Sequence, residues 1–229
     1  MSSEPAEKKT KMPLTLAYWK IRGLAQPIRL LLKYNELEFD NVMYQQGDAP
    51  DYSREGWLSV KFTLGLDFPN LPYMIDGDTK ITQSNAILRH VARKFDLCGN
   101  TETEMAMVDM LENQAMDFRN GFTRVCYNSN YESLKEDYIK AAKDKIKAFS
   151  TFLGGKKWFI GDKLTFVDFV LYELLDQHRM FEPSLFAELP NLKEFLDKFE
   201  ALPPIKAYME SAEFIRYPVN NNTASWGGK

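Results

Sequence analysis

The chain contains few of the residues that bind metals or form disulfides. Its 229 residues include only two cysteines, Cys98 and Cys126, and two histidines, His90 and His178, and their spacing is not typical of a metal site. A single disulfide between the two cysteines is compatible with the sequence. So low a cysteine content nevertheless favours a reducing compartment, with both cysteines as small buried hydrophobic residues. We therefore expect no metal or other cofactor and predict a cytoplasmic location.

The chain also lacks an excess of positive charge and a long apolar run. It has 29 lysines and arginines against 32 acidic residues, a net charge of −3, so neither nucleic acid nor an anionic membrane surface is an expected partner. No stretch of 18 uncharged apolar residues is present, so no helix should span a membrane. Residues 1–12 are charged and have no apolar core, which predicts a flexible polar tail rather than a signal peptide.

The first half of the chain mixes strand and helix patterns. Residues 14–19 and 39–44 are β-prone, and the apolar spacing of residues 25–35 between them predicts a helix, so the two strands should be parallel. Residues 71–82 predict an antiparallel hairpin that turns at Asp76-Gly77, followed by a helix over residues 83–95. The connection from Gln45 to Asn70 looks irregular, and one that long is either functional or contains elements that the pattern does not show.

The second half has the periodicity of packed helices. Apolar residues recur every three or four positions from Val108 to Phe122 and again from Ile139 to Leu153, which predicts two antiparallel helices. Residues 165–180 are apolar nearly all round, so we expect this helix to be the buried centre, with Thr165 and Asp168 forming a capping box. Shorter helices near residues 191–200 and 204–211 should close the bundle.

Several sequence blocks, in order along the chain, resemble cytosolic glutathione transferases of the mu class. They include residues 18–23 (YWKIRG), 47–52 (GDAPDY), 67–72 (DFPNLP), 81–87 (ITQSNAI), 112–117 (ENQAMD) and 164–168 (LTFVD). The resemblance extends from about Met12 to Lys229. It implies a thioredoxin-like α/β domain at residues 13–95, a linker at 96–101 and an all-α bundle at 102–229 that lines the electrophile pocket.

The resemblance also implies an activity. A member of this family is expected to hold glutathione as co-substrate, activate its thiol as the thiolate, and conjugate it to small hydrophobic electrophiles in detoxification, as a transferase of alkyl or aryl groups. Two other functions remain open from the sequence. One is a non-catalytic ligand carrier or structural protein of the same fold, because fold alone does not decide function. The other is a glutathione-dependent isomerase, which would use the same glutathione site.

Tyr18 is the candidate catalytic residue. The thiolate is the nucleophile, but a thiol with a pKa near 8.5 is only a few per cent ionised at pH 7. A neutral tyrosine hydroxyl that donates a hydrogen bond to the sulfur should stabilise the thiolate by roughly 1.5–3 kcal/mol, equivalent to about one to two pKa units. Without the resemblance, a tyrosine whose hydroxyl bonds a backbone carbonyl would explain Tyr18 equally well.

The remaining site residues follow from the resemblance. Pro72 should be a cis-proline that leaves the preceding backbone free for the cysteinyl amide, and Gln83 and Ser84 begin a helix whose N–H groups attract a carboxylate. Each of these residues also has an ordinary structural explanation, such as a surface charge or a core side chain. The implied glutathione-binding residues are Tyr18, Trp19, Leu24, Arg54, Trp57, Lys61, Asn70, Leu71, Pro72, Gln83, Ser84 and Asp117, the last acting across a dimer. Those implied for the electrophile are Leu24, Met116, Arg119 and Tyr127.

Two further expectations concern assembly and specificity. Phe68 lies in a turn that should be exposed, and the resemblance implies that it is inserted between helices of a partner in a homodimer. The sequence departs from the family pattern at Ala17, Lys20 and Asn220–Asn222. The three asparagines stand where an apolar side chain often covers the pocket, so they should alter the preferred electrophile rather than the chemistry on glutathione.

Overall fold

A four-stranded mixed sheet forms the centre of the first half of the molecule. The computed structural model describes residues 14–228, so the predicted tail at residues 1–12 lies outside the described residues. The strands are β1 (Thr15–Trp19), β2 (Asp40–Tyr44), β3 (Tyr73–Asp76) and β4 (Thr79–Thr82). Their order is β2-β1-β3-β4, with β1 parallel to β2 and the other pairs antiparallel. This topology confirms the predicted α/β fold of the first half.

Three helices accompany the sheet. They are α1 (Gln26–Tyr34), α2 (Glu55–Leu58) and α3 (Ser84–Lys94). The connection between β2 and β3, predicted to be irregular, contains α2, a single turn too short to produce a periodic apolar pattern. The predicted hairpin turn was one residue early, because Asp76 pairs with Thr79 and the turn is formed by Gly77 and Asp78. Gly77 adopts a φ of +60°, which glycine tolerates without steric cost.

The second half is a bundle of five α-helices within the described residues. They are α4 (Glu102–Cys126), α5 (Tyr131–Leu153), α6 (Phe166–Phe181), α7 (Pro190–Glu200) and α8 (Pro203–Glu210), with a short 3₁₀ helix at Pro183–Phe186 that the sequence did not predict. Helix α6 is the buried centre, as predicted, with 13 of its 16 residues buried. The N–H of Thr165 donates to Asp168 at 2.8 Å in the predicted capping box. None of the helices in the described part of the chain is long and apolar enough to cross a membrane.

The loop after β1 joins the two halves. The Arg22 guanidinium, in this loop, donates to both carboxylate oxygens of Glu173 on α6, at 2.9 and 2.7 Å, and to Asp176 at 2.6 Å. The backbone N–H groups of Arg22 and Gly23 donate to the carbonyls of Pro218 and Val219, at 2.9 and 3.1 Å. The chain end therefore returns to the start of the sheet domain, and both halves hold the loop that follows Tyr18.

Candidate active site

Tyr18 lies near the end of β1, where the loop to α1 begins. Its side chain is 6% exposed, and a Cβ added to Gly23 would lie 2.6 Å from its Cε1 and 2.9 Å from its hydroxyl oxygen. Gly23 therefore packs directly against the functional edge of the ring. Within residues 14–228, the hydroxyls of Tyr44, Tyr73, Tyr127, Tyr138 and Tyr172 form hydrogen bonds and that of Tyr208 contacts Gln26, whereas the hydroxyl of Tyr18 has no such partner. The hydroxyl of Tyr18 is thus available to a ligand.

The cationic residues of the connection between β2 and β3 surround a fixed tryptophan. Trp57 is 5% exposed and stacks on Tyr73, with ring centroids 6.0 Å apart. Arg54 is exposed and Lys61 is half-buried, and neither forms an ion pair within the part of the chain that the structure describes. Both cations are therefore free to bind an anion.

The predicted backbone site at Leu71 and Pro72 is partly occupied. Both residues are buried and the bond between them is cis. From the sequence, we expected the N–H of Leu71 to be free. In the structure it donates to Oδ1 of Asn70 at 2.9 Å. The sequence signal for this bond was the asparagine itself, because short amides commonly bond neighbouring backbone groups. A ligand amide at Leu71 would share or displace the Asn70 side chain.

Gln83 and Ser84 lie at the start of α3, and Gln83 is conformationally strained. Gln83 has a φ of +72° and ψ of 114°, which costs a side-chain-bearing residue about 1–3 kcal/mol and is concentrated at functional sites. Neither residue forms the side-chain N-cap that was the structural alternative for Ser84. The first N–H groups of the 11-residue helix α3 are consequently available for an anion.

A cleft between the sheet domain and α4 and α6 brings four predicted residues together. Its cavity volume is about 30 Å³, and it is lined by Leu24, Ser84, Met116 and Arg119, together with Gly23, which adjoins Tyr18. Apolar walls are supplied by Leu88, Ala115 and Leu174. The Nε of Arg119 is buried without a hydrogen-bond partner among the described residues. The cleft thus combines residues predicted for both substrates.

Two polar residues of α6 also line the largely apolar cleft. They are Glu173 and Gln177. Gln177 donates to Glu173 at 2.7 Å, and Glu173 is also bonded to Arg22. The signal in the sequence was the presence of charged and amide residues within an otherwise apolar helix, since such groups are buried only when they are paired.

Tyr127 contacts the end of the chain and does not line this cleft, but its hydroxyl lies close enough to Tyr18 for the two groups to interact electrostatically. Its hydroxyl accepts a hydrogen bond from the N–H of Asn221 at 2.7 Å, and its side chain is 38% exposed. Burial raises the pKa of Tyr127 to about 12, so the hydroxyl stays protonated and keeps its own proton to donate. A second cavity, of about 290 Å³, is lined by Asn220–Asn222 together with Lys20 and Gln46. The unusual asparagines therefore line a different cavity from the one beside Tyr18.

The other predicted residues lie at the surface. Trp19 is half-buried and contacts Tyr44 edge to face at 6.5 Å. Asp117 is exposed on α4 and forms no ion pair within residues 14–228. Phe68 is 78% exposed, which confirms its predicted exposure in the single chain. Neither Asp117 nor Phe68 lines the cleft beside Tyr18.

Two buried arginines near the site were missed. Arg22 and Arg29 are 1% and 0% exposed. We predicted no role for either, because arginine side chains are normally at the surface. Their burial depends on partners that are far away in the sequence or are backbone carbonyls, and neither kind of partner has a sequence pattern.

Comparisons with known proteins agree with this geometry. Residues 14–93 match the family model of the glutathione S-transferase N-terminal domain, and residues 116–212 match that of the C-terminal domain. Glutathione S-transferase Mu 4 of Mus musculus and Mu 1 of Bos taurus are each 56% identical to this chain over 218 residues, which cover 95% of this chain and all of theirs.

Solved structures give the same result. The glutathione S-transferase Blo t 8 superposes with a TM-score of 0.86 at 36% identity, covering 93% of this chain and 99% of its own. The pi-class glutathione S-transferase of Onchocerca volvulus has a TM-score of 0.82 at 34% identity, covering 93% of this chain and all of its own.

Proposed function

The chain belongs to the mu class of the glutathione S-transferases, and from this premise we propose that it conjugates glutathione to small hydrophobic electrophiles. The observation that carries the proposal is the hydroxyl of Tyr18, which is packed against Gly23 and has no hydrogen-bond partner within residues 14–228. A hydroxyl in this position can donate to a sulfur anion without first breaking a bond in the protein. Detoxification in the cytoplasm is the role that this chemistry fits.

Glutathione supplies two carboxylates, one amine and the thiol, and the site offers a group for each. The N-terminus of α3 at Ser84 suits the γ-glutamyl carboxylate, and Arg54 and Lys61 suit the glycyl carboxylate. Leu71 offers its backbone to the cysteinyl amide. The acidic Asp117, exposed and unpaired within residues 14–228, suits the amine of a glutathione bound to a second subunit.

In the reaction, the thiol proton is lost to solvent and the thiolate attacks the electrophile. A carbon–sulfur bond forms, and either a leaving group departs or the oxygen of an opened epoxide accepts a proton. Tyr18 stabilises the thiolate, while Arg119 and the hydroxyl of Tyr127 are suited to stabilise negative charge that develops on the electrophile. Leu24 and Met116 supply apolar contacts.

Substitution of Tyr18 by phenylalanine tests this function. Tyr18→Phe keeps the ring and removes the donor, so the pKa of the bound thiol should rise by about one to two units and turnover at neutral pH should fall about ten- to a hundredfold. The measurements are retention on immobilised glutathione, the rate with a chloronitroaromatic acceptor, and a pH titration of the ultraviolet thiolate band. A wild-type thiol that titrates at its solution value and is unaffected by Tyr18→Phe would support a carrier instead.

We also propose a homodimer in which Phe68 of each subunit enters its partner. Phe68 is a large apolar side chain exposed to 78%, which is costly in water unless a partner covers it. A cleft of about 390 Å³ between α4 and α5 is lined by Met110, Leu111, Phe149 and Phe152. We place Phe68 of one subunit in this cleft of its partner, and two-fold symmetry then repeats the same contact in the opposite direction.

The dimer is tested by substitution of Phe68 by alanine. Phe68→Ala should weaken association by about 2–4 kcal/mol, as for a buried aromatic anchor, so the protein should dissociate at a concentration where the wild type is dimeric. Leu134→Ala, at a residue 37% exposed on α5, is the control and should leave the dimer intact. Sedimentation that finds Phe68→Ala still dimeric at submicromolar concentration would disprove the contact.

A reducing location is consistent with both cysteines. They are free thiols, with Cys126 buried as predicted and Cys98 only half-buried, contrary to the prediction. Burial raises the pKa of Cys126 to about 12, so its thiol is protonated and unreactive at physiological pH.

A further inference from the structure

Arg29 is a buried cation whose hydrogen-bond partners within residues 14–228 are all neutral. It lies in α1 with 0% of its surface exposed. Its Nη1 donates to the carbonyl of Ile21 at 2.8 Å and to Oε1 of Gln26 at 3.2 Å, and its Nε donates to Oδ1 of Asn41 at 3.3 Å. Its Nη2 lies 3.5 Å from the carbonyl of Trp19. Two of these carbonyls belong to the segment that directly follows Tyr18.

The other buried arginine of this region is compensated. Arg22 bonds two carboxylates, those of Glu173 and Asp176, so its charge is neutralised locally. Arg29 forms no ion pair with any carboxylate in the described part of the chain. The contrast separates two roles, because Arg22 joins the two halves through direct ion pairs whereas Arg29 bonds only neutral groups beside β1.

An uncompensated buried cation is costly, and burial lowers the pKa of Arg29 accordingly. A guanidinium nevertheless remains charged at neutral pH. The titratable groups that act on Arg29 electrostatically are Tyr208 on α8, Tyr18 on β1 and Glu173 on α6, the last already paired with Arg22. In a site of low polarity, such a charge acts over a longer distance than it would in water. Any anion held at Tyr18 is therefore stabilised by Arg29.

We propose that Arg29 is a positioning residue of the active site: it holds the backbone after Tyr18 through the carbonyls of Trp19 and Ile21, and its uncompensated charge favours the glutathione thiolate. The inference depends on the proposed function, because it assumes that glutathione binds with its sulfur at Tyr18. It adds a second source of thiolate stabilisation, which acts through the electric field rather than through a hydrogen bond to sulfur.

The sharpest test adds a counter-ion and leaves Arg29 in place. Gln26 is buried and its side chain lies against the hydroxyl of Tyr208, which can donate to an added carboxylate, so Gln26→Glu keeps the acceptor for Arg29 and introduces a neutralising charge. We expect the pKa of the bound thiol to rise by about half to one unit, and the rate at a pH below that pKa to fall about three- to tenfold. Gln26→Met removes this acceptor but adds no charge, so it is the control for the lost hydrogen bond and should change the thiol pKa less than Gln26→Glu does.

Substitutions of Arg29 itself complete the test. Arg29→Lys keeps the charge and should retain most of the thiolate stabilisation, whereas Arg29→Gln should raise the thiol pKa as Gln26→Glu does. If Arg29→Gln does not fold, the Gln26 pair still decides the question. A depressed wild-type thiol pKa that Gln26→Glu leaves unchanged would overturn the role of Arg29 and leave the proposed function intact. A wild-type thiol that titrates at its solution value would instead contradict the proposed function.

Discussion

Replacing Gly23 by alanine should disturb catalysis through Tyr18. The new Cβ would lie 2.6 Å from Cε1 and 2.9 Å from the hydroxyl oxygen of Tyr18, closer than non-bonded atoms can approach. Gly23 also has a φ of +44°, in the left-handed region that disfavours side chains. The loop cannot easily relieve this contact, because the N–H groups of Arg22 and Gly23 are bonded to the chain end. The tyrosine ring must therefore move.

Two costs can be assigned to this substitution. The left-handed backbone conformation costs an alanine about 1–2 kcal/mol, which should appear as a lower free energy of unfolding. A displacement of the ring by about 1 Å would weaken the hydrogen bond to sulfur and lower turnover by about ten- to a hundredfold. Gly56→Ala is the matched control, because nothing lies within 4 Å of its added Cβ, and it should preserve both stability and turnover.

A double-mutant cycle with Tyr18→Phe isolates the catalytic part of the effect. The assay measures kcat/KM with a chloronitroaromatic acceptor, the thiol pKa, and the unfolding free energy in urea. If Gly23→Ala acts through the hydroxyl, it should lower kcat/KM in the wild type and have little further effect in Tyr18→Phe. The same loss in both backgrounds would refute the reasoning and attribute the effect to the fold of the loop.

Two further predictions follow from Tyr127 and His178. Tyr127→Phe removes the acceptor for the N–H of Asn221, so amide hydrogen exchange at Asn221 should increase. It also removes a donor to the electrophile, so it should leave glutathione affinity unchanged and slow epoxide opening more than aromatic substitution. Equal losses in both reactions would indicate a packing role. Burial lowers the pKa of His178 from 6.5 to about 4. Between pH 6.5 and pH 4 the unfolded chain therefore binds a proton at His178 that the folded chain does not. Stability should then fall by about 3 kcal/mol as the pH drops from 6.5 to 4. Urea unfolding across this range should show a smaller loss for His178→Gln, and an equal loss would contradict the assignment.

The sequence by itself predicted most of the fold. The strands needed only alternating and β-branched residues between turn signals, and the long helices needed only apolar spacing, as in Val108 to Phe122. These signals are local, so they are present before the chain is packed. Elements of a single turn, such as α2 and the 3₁₀ helix at Pro183–Phe186, were missed because four residues are too few to establish a period.

The site was predictable where local motifs mark it and hidden where distant partners create it. Family blocks identified Leu24, Ser84, Met116 and Arg119, but only the packed structure gathers these four residues around one cleft. The burial of Glu173, by contrast, could not be predicted from its neighbours in the sequence, because its partner Arg22 lies 151 positions earlier. Local sequence therefore specifies which segments become strands and helices, since the residue patterns and turn residues that mark these elements lie close together in the chain. Tertiary structure alone decided which charges are compensated, because burial and counter-ions depend on residues that the chain brings together only when it folds.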